Sequence, residues 1–120
     1  MIPRVVMALD RPSLQQQLKR RLTAGEVIVD VIKGKRSWER IKREVCDLVV
    51  VSASRIPAPA AEMVSLLCEV PDAPAVSVIL NQDEPEHRAQ LLAAGAAAVL
   101  DTDVSVDGLT EVLQTLLEQQ

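Results

Sequence analysis

The chain has 120 residues, 48% of them apolar, and a formal net charge of −4 at pH 7. This size predicts one domain with a full hydrophobic core and excludes a chain that is disordered by composition. No apolar run reaches the ~18 residues of a membrane span, and no signal peptide is recognisable, so we expect a cytoplasmic protein. Trp38 is the only aromatic residue, which argues against a base-stacking surface for single-stranded nucleic acid.

The first half of the chain predicts three strands that alternate with two helices. The strands are short apolar runs of the kind buried on both faces, at residues 4–9, 27–32 and 48–51. Pro12 or Ser13 suits the first turn of a helix that ends at Gly25, and Ser37 is predicted to cap a second helix. The residues predicted to face inward have helical spacing: Leu14, Leu18 and Leu22 in the first helix, and Trp38, Ile41 and Val45 in the second.

The second half continues the alternation. A third helix is predicted over residues 60–70 and a fourth strand over 75–80, followed by a helix that Gly95 ends and a fifth strand at 97–100. The third helix is expected to turn Met63, Leu66, Leu67 and Val70 inward, and the last helix Leu109, Val112, Leu113, Leu116 and Leu117.

Strict alternation of five strands and five helices predicts an α/β fold with a parallel sheet. At this length the flavodoxin-like, doubly wound order 2-1-3-4-5 is the natural arrangement. We therefore expect one domain over residues 1–120. Cys46 and Cys68 have no metal-binding spacing and are interpreted as buried free thiols.

Three short segments carry a resemblance to a known family. The segment Asp-Leu-Val-Val-Val-Ser at residues 47–52, with Pro57 after it, is similar to a strand of the pattern Asp-Leu-Val-Leu-Leu-Asp followed by a proline turn. Asp10-Arg-Pro is similar to an Asp-Asp-Glu-Pro turn, and residues 93–100 are similar to Ala-Gly-Ala-Asp-Asp-Tyr-Leu. The order and spacing of these segments resemble those of the response-regulator receiver domains. The resemblance covers essentially the whole chain.

The resemblance implies a phosphorylation site whose working residues are changed here. In the family an aspartate at the end of the third strand accepts phosphate, and an acidic pair after the first strand holds Mg²⁺. A hydroxyl after the fourth strand and a lysine after the fifth contact the phosphoryl group. The matching positions in this chain are Ser52 for the phosphoacceptor, Leu9 and Asp10 for the acidic pair, Leu80 or Asn81 for the hydroxyl and Thr102 for the lysine.

These changes predict a pseudo-receiver that has lost phosphotransfer, is not an enzyme and needs no cofactor or metal. Simpler interpretations of single residues stay open: Asp10 as a helix cap or a residual cation ligand, Ser52 and Ser54 as satisfied turn hydroxyls or ligand contacts, Asn81 as a loop residue bonded to its own backbone, and His87 as a solvated helix residue.

Charge is divided unevenly along the chain. Residues 1–43 carry a formal charge of +7 and residues 44–120 carry −11. The family signals through the fourth helix, fifth strand and fifth helix, where Asp101, Asp103 and Glu111 are candidates for a contact face. Ordinary solvated faces are the alternative explanation.

The function that the resemblance implies is regulatory. We expect a module of a bacterial two-component or phosphorelay transcription regulator, such as the N-terminal domain of a sigma-54-dependent activator, cut from a longer chain. It would contact a protein partner or its own effector domain, or dimerise through the acidic face, with no membrane contact and no nucleic acid bound by this domain. The alternative is a small-molecule sensor that uses the crevice vacated by phosphate, at Leu9, Ser52, Leu80 and Thr102.

Overall fold

Strands and helices alternate along the chain as predicted. The computed structural model describes residues 2–34, 36–101 and 103–119. The strands are β1 (Arg4–Ala8), β2 (Ile28–Val31), β3 (Leu48–Ser52), β4 (Ala75–Leu80) and β5 (Ala98–Asp101). The helices are α1 (Pro12–Ala24), α2 (Ser37–Ile41), α3 (Ala60–Cys68), α4 (Pro85–Ala93) and α5 (Val106–Glu118), and a short 3-10 turn (Ala53–Arg55) follows β3.

The five strands form one parallel sheet in the order β2-β1-β3-β4-β5, which confirms the predicted flavodoxin-like topology. In this order β1 and β3 are central neighbours although α1, β2 and α2 separate them in sequence. Their register pairs Ala8 with Val51, so the two strands end at nearly the same level. Ligands of open α/β sheets bind at this carboxyl edge, beside the point where the strand order reverses.

Two apolar layers cover the sheet, because side chains alternate between its faces. Val49 and Val51 of β3 point into one layer, which contains the inner faces of α2, α3 and α4. Leu48 and Val50 point into the other layer, with α1 and α5. Full burial of such side chains stabilises the fold by about 1.5–3 kcal/mol each.

The structure corrects the predicted inward faces of α2 and α3. Helix α2 ends at Ile41, so Val45 lies in the connection to β3 and is 84% exposed. On α3 the buried residues are Val64 and Leu67, whereas Leu66 lies on the outer face and is 56% exposed. The helix ends at Cys68, so Val70 lies beyond it and is also exposed.

Two helix ends follow from local chemistry. Ser105 caps α5, since its Oγ accepts a hydrogen bond of 3.0 Å from the Gly108 amide. Gly95 follows α4 with a φ of 115°, and a Cβ there would lie 3.2 Å from Cys68 Sγ.

Within the described ranges, no helix is long and apolar enough to cross a membrane.

Candidate functional site

The carboxyl ends of three neighbouring strands bring the predicted site residues together. Asp10 follows β1, Ser52 ends β3 and Asn81 follows β4. Ser52 is paired with Ile79 in the register between β3 and β4, so the ends of these two strands are adjacent. The site predicted from the sequence is therefore one physical cluster at the switch between β1 and β3.

Asp10 is the centre of this cluster and accepts hydrogen bonds from three side chains. Ser52 Oγ donates to Asp10 Oδ1 at 3.2 Å, and Ser54 Oγ donates to Asp10 Oδ2 at 2.7 Å. Asn81 Nδ2 donates to Asp10 Oδ2 at 3.3 Å. The Asp10 amide in turn donates to Ser52 Oγ at 3.0 Å, so Ser52 and Asp10 bind each other reciprocally. One carboxylate thus ties together the ends of three strands.

The donors around Asp10 favour its ionised form. Burial raises the pKa of the Asp10 carboxyl, but the hydrogen bonds from Ser54, Asn81 and Ser52 lower that pKa by more, so it lies below its ordinary value. A carboxylate that is held in this way is a weak base.

This network bears on the simpler interpretations of Asp10, Ser52 and Ser54. Arg11, not Asp10, occupies the N-cap position of α1, and no side chain caps that helix. Ser52 and Ser54 are satisfied hydroxyls, but their acceptor is the Asp10 carboxylate. Sequence reasoning could place these residues near one another, but it could not identify Asp10 as their shared acceptor.

The other residues of the predicted pocket differ in their burial and hydrogen bonding. Leu9 is buried, and its amide donates to Gln15 Oε1 at 2.9 Å. Leu80 is buried in the apolar layer beneath α2, α3 and α4. Ser52 is only 2% exposed. Thr102 lies outside the described residues. The vacated crevice expected from Leu9, Ser52, Leu80 and Thr102 is therefore closed at Ser52 and Leu80.

The fold family implies Mg²⁺ at this edge, but the residues present do not fit it. Mg²⁺ requires several hard oxygen ligands in near-octahedral geometry. In the described cluster of Asp10, Ser52, Ser54 and Asn81, Asp10 is the one carboxylate, Leu9 and Ser52 supply no second one, and both Asp10 oxygens already accept hydrogen bonds. In the part of the chain that the structure describes, no three His, Cys, Asp or Glu side chains group to hold a metal.

An open cavity lies beside Asp10, displaced toward β2. It has a volume of about 420 Å³ and lies between the start of α1 and the carboxyl ends of β1 and β2. Part of its wall is apolar and is formed by Leu9, Val31 and Ile32. Its cationic side chains are those of Lys19, Lys33 and Arg55. This cavity was not predictable from the sequence, because nothing local indicates that Arg55 reaches across to the β2–α2 loop.

Gln15 is the cavity residue that sequence reasoning missed most clearly. It is only 7% exposed although it belongs to the polar run at residues 15–17. Its spacing to Leu18 and Leu22 is i, i+3 and i+7, which places it on the buried face of α1. That spacing was the available signal. The predicted stripe began instead at Leu14, which is half-buried.

The acidic candidates on β5 and α5 divide into two kinds. Asp101 has a side chain that is only 14% exposed, and its carboxylate accepts from Arg88 Nη2 at 3.0 Å. Arg88 Nη1 also donates to the Val99 carbonyl at 2.6 Å, so Arg88 fastens α4 to β5. Asp103 and Glu111 are exposed. The latter two are available for a contact, whereas Asp101 serves the interior of the α4–β5 interface.

The other sequence candidates are peripheral. His87 is half-buried on α4 and its Nδ1 lies 3.2 Å from Glu84 Oε2. Cys46 and Cys68 are free thiols of intermediate exposure, and burial raises the pKa of both, that of Cys46 to about 11. Neither thiol lines the cavity beside Asp10.

No family model matches the chain and no curated protein matches it, but solved structures do. HP1043, an orphan response regulator of H. pylori, superposes with a TM-score of 0.81 at 20% identity, covering 96% of each chain. A CheY-like receiver domain from Methanospirillum hungatei gives a TM-score of 0.81 at 16% identity, covering 99% of this chain and 96% of that one.

A response regulator from Burkholderia pseudomallei, solved with a phosphorylated aspartic acid, a calcium ion and citrate, gives a TM-score of 0.74 at 16% identity. The match covers 98% of this chain and 69% of that one. Matches at identities this low show the fold of the chain and do not show its chemistry. The chain has the flavodoxin-like fold of the response-regulator receiver domains.

Proposed function

We propose that this chain is a receiver-fold signalling domain that acts without phosphorylation, by contact with a protein partner or with its own effector domain. The observation that carries the proposal is the Asp10 network. Its donors, Ser52, Ser54 and Asn81, occupy the carboxylate oxygens that a metal-assisted phosphorylation site would need to keep available.

The nucleophile position supports the same conclusion. A serine hydroxyl needs an adjacent base to become a good nucleophile. Asp10 is within hydrogen-bonding distance of Ser52, but its lowered pKa makes it a poor proton acceptor. Ser52 is also almost completely buried, so a phosphodonor would have to displace the network to reach it. His87 lies on α4, at a different cavity from the one beside Asp10.

The same network fixes the strand end that would otherwise respond to phosphate. Asn81 follows β4, and its bond to Asp10 links the end of β4 to the end of β1. Arg88 then joins α4 to β5 through Val99 and Asp101. The surface that the family uses for signalling is thus held by contacts present without any modification.

The exposed face around α4, β5 and α5 is our candidate contact surface. It carries acidic side chains, among them Glu86, Asp103, Glu111 and Glu118. Complementary charge steers association and selects the partner more than it adds affinity. We propose a partner with a basic surface and place the domain in a bacterial two-component-like transcription regulator, of which the sigma-54-dependent activators are one class.

A second candidate function is small-molecule sensing, and the cavity beside Asp10 favours it. Its volume of about 420 Å³ falls in the range of ligand pockets, and it lies at the sheet edge where open α/β folds bind ligands. A ligand there would contact α1 and the β2–α2 loop.

The phosphorylation-independent function is tested by titrating the ¹⁵N-labelled domain with beryllofluoride, a phosphoryl mimic, in the presence of Mg²⁺. We expect no saturable shift at the amides of Asp10, Ser52 and Asn81, whereas a receiver domain with an intact aspartate serves as the positive control. Self-association of the domain, measured by sedimentation velocity, should be the same with and without acetyl phosphate. Saturable shifts at these amides, or association that requires the phosphodonor, would refute the proposal.

A further inference from the structure

We propose that the cavity beside Asp10 binds a small organic anion, one in which a phosphate or carboxylate group is attached to an apolar or planar body of about mononucleotide size. The inference rests on the second candidate function and gives it a ligand class. It is independent of whether the domain contacts a protein partner.

The charge of the cavity selects an anion. Lys19 of α1, Lys33 after β2 and Arg55 after β3 come from three separate segments and meet at this one cavity. Among the described residues none of the three is paired with a carboxylate. Other exposed cations also lack ionic partners, but these three share one concave surface. Arg55 Nη1 donates to the Gly34 carbonyl at 2.9 Å, which holds its guanidinium against the β2–α2 loop.

Among the described residues, Asp10 is the only carboxylate in the lining, and it does not offset these cations fully. Its oxygens accept hydrogen bonds from Ser52, Ser54 and Asn81 on the side of β3 and β4. Its charge is therefore partly satisfied away from the cavity. An incoming anion would meet three cations against one carboxylate that already has three donors.

Gln15 adds an oriented donor to the cavity. Its Oε1 is fixed by the Leu9 amide at 2.9 Å, so the orientation of the side-chain amide is set. Its Nε2 donates to no acceptor within the described parts of the chain, although the residue is 7% exposed and lines the cavity. This Nε2 is not among the fully buried side-chain atoms that lack a partner in the described residues, so it is accessible to solvent, and a ligand oxygen would accept its hydrogen bond in place of water.

Part of the cavity wall is apolar, and this part favours a ligand with an apolar body. Leu9 and Ile32 are buried there, and Val31 is half-buried. An inorganic anion would bind the cations but leave the apolar wall exposed to water, whereas an anion with an apolar body would also bury that wall. The cavity of about 420 Å³ accommodates a body of that kind.

The test is a set of NMR titrations of the ¹⁵N-labelled domain in Mg²⁺-free buffer. The probes are AMP for a phosphate-bearing ligand, benzoate for a carboxylate-bearing one, inorganic phosphate, and neutral adenosine. We expect AMP or benzoate to give saturable shifts at the amides of Leu9, Gln15, Val31 and Lys33, and adenosine to give none. The probe that binds identifies which anionic group the site takes.

Variants separate the cavity from general surface charge. The double variant Lys19→Gln, Lys33→Gln should weaken binding at least about tenfold, because two charge-assisted contacts are lost. The control, Arg20→Gln with Arg40→Gln, removes the same charge from exposed positions outside the cavity and should change binding less than about twofold.

Three results would overturn the inference: no saturable shift with any probe up to about 5 mM, equal weakening by the two double variants, or inorganic phosphate binding as tightly as AMP and benzoate, which would mean an adventitious ion only. No probe here is a phosphodonor in the absence of Mg²⁺, so a failure would leave the proposal of phosphorylation-independent signalling intact. A positive result with beryllofluoride and Mg²⁺ would, conversely, refute only that proposal.

Discussion

Replacing Ser52 with aspartate restores the family's acidic residue and should destabilise this chain. Ser52 Oγ lies 3.2 Å from Asp10 Oδ1 and 3.0 Å from the Asp10 amide. The hydroxyl serves as a donor to one and an acceptor from the other. An ionised carboxylate can keep only the second role, and it brings a like charge against Asp10.

The size of the effect follows from the separation and burial of the two groups. Two unit charges about 4 Å apart interact by about 1 kcal/mol in water and about 4 kcal/mol at an effective dielectric constant of ~20. Ser52 is buried and Asp10 is half-buried, which places the pair between these limits. With the lost hydroxyl donor adding about 1 kcal/mol, we expect Ser52→Asp to lower the free energy of unfolding by about 3 kcal/mol at pH 7.

The assay is urea denaturation followed by Trp38 fluorescence, since this single tryptophan is buried in the native state. The midpoint should fall by about 1–3 M urea. Like-charge repulsion raises the pKa of one carboxyl of the pair in the folded state. Stability is lost above such a raised pKa and recovered as the pH falls through it, so the deficit of the variant should shrink between pH 7 and about pH 5.

Ser52→Asn is the matched control, because it has the size of aspartate without the charge. The electrostatic reasoning would be refuted if Ser52→Asp and Ser52→Asn unfolded at the same urea concentration at pH 7. It would also be refuted if the gap between them did not narrow at lower pH.

Three further predictions concern groups with defined partners. Asp10→Asn should cost about 1 kcal/mol at pH 7. Because the pKa of Asp10 is lowered by folding, this difference is present above the unfolded value of about 3.9 and should vanish as the pH falls through the folded value in urea titrations. Arg88→Met should cost about 1–2 kcal/mol by urea denaturation, since it removes the cationic partner of the Asp101 carboxylate, whereas Lys42→Met removes an exposed pair and should cost less than about 0.5 kcal/mol. Cys46, whose pKa burial raises to about 11, should react with Ellman's reagent at pH 8 at least about tenfold more slowly than free cysteine.

The fold was predictable because each helix and strand has its own pattern of apolar residues along the sequence. Five apolar runs, such as the one ending in Val51, have the length and both-sided burial of parallel strands, and helical stripes separate them. The errors lie where the pattern had no clear end. Nothing in the sequence marked the end of α2 at Ile41, so Val45 was assigned to its buried face. Leu66 was assigned inward because adjacent leucines do not define the helical phase.

The site was predictable in location and only partly in chemistry. Parallel strands end at a common edge, so Asp10, Ser52 and Asn81 could be expected to meet. Which side chain accepts and which donate depends on distances of a few tenths of an ångström, and these are not encoded in local pattern. The burial of Gln15 and the pairing of Asp101 with Arg88 also depend on contacts between separate elements, which local sequence pattern does not encode.

Intact-mass spectrometry after incubation with acetyl phosphate and Mg²⁺ tests the central claim most directly. Phosphorylation independence predicts that the mass of the domain is unchanged, because Ser52 is buried and the oxygens of Asp10 are occupied by its hydrogen-bond donors. A mass increase of one phosphoryl group per chain that disappears in Ser52→Ala or in Asp10→Asn would contradict it.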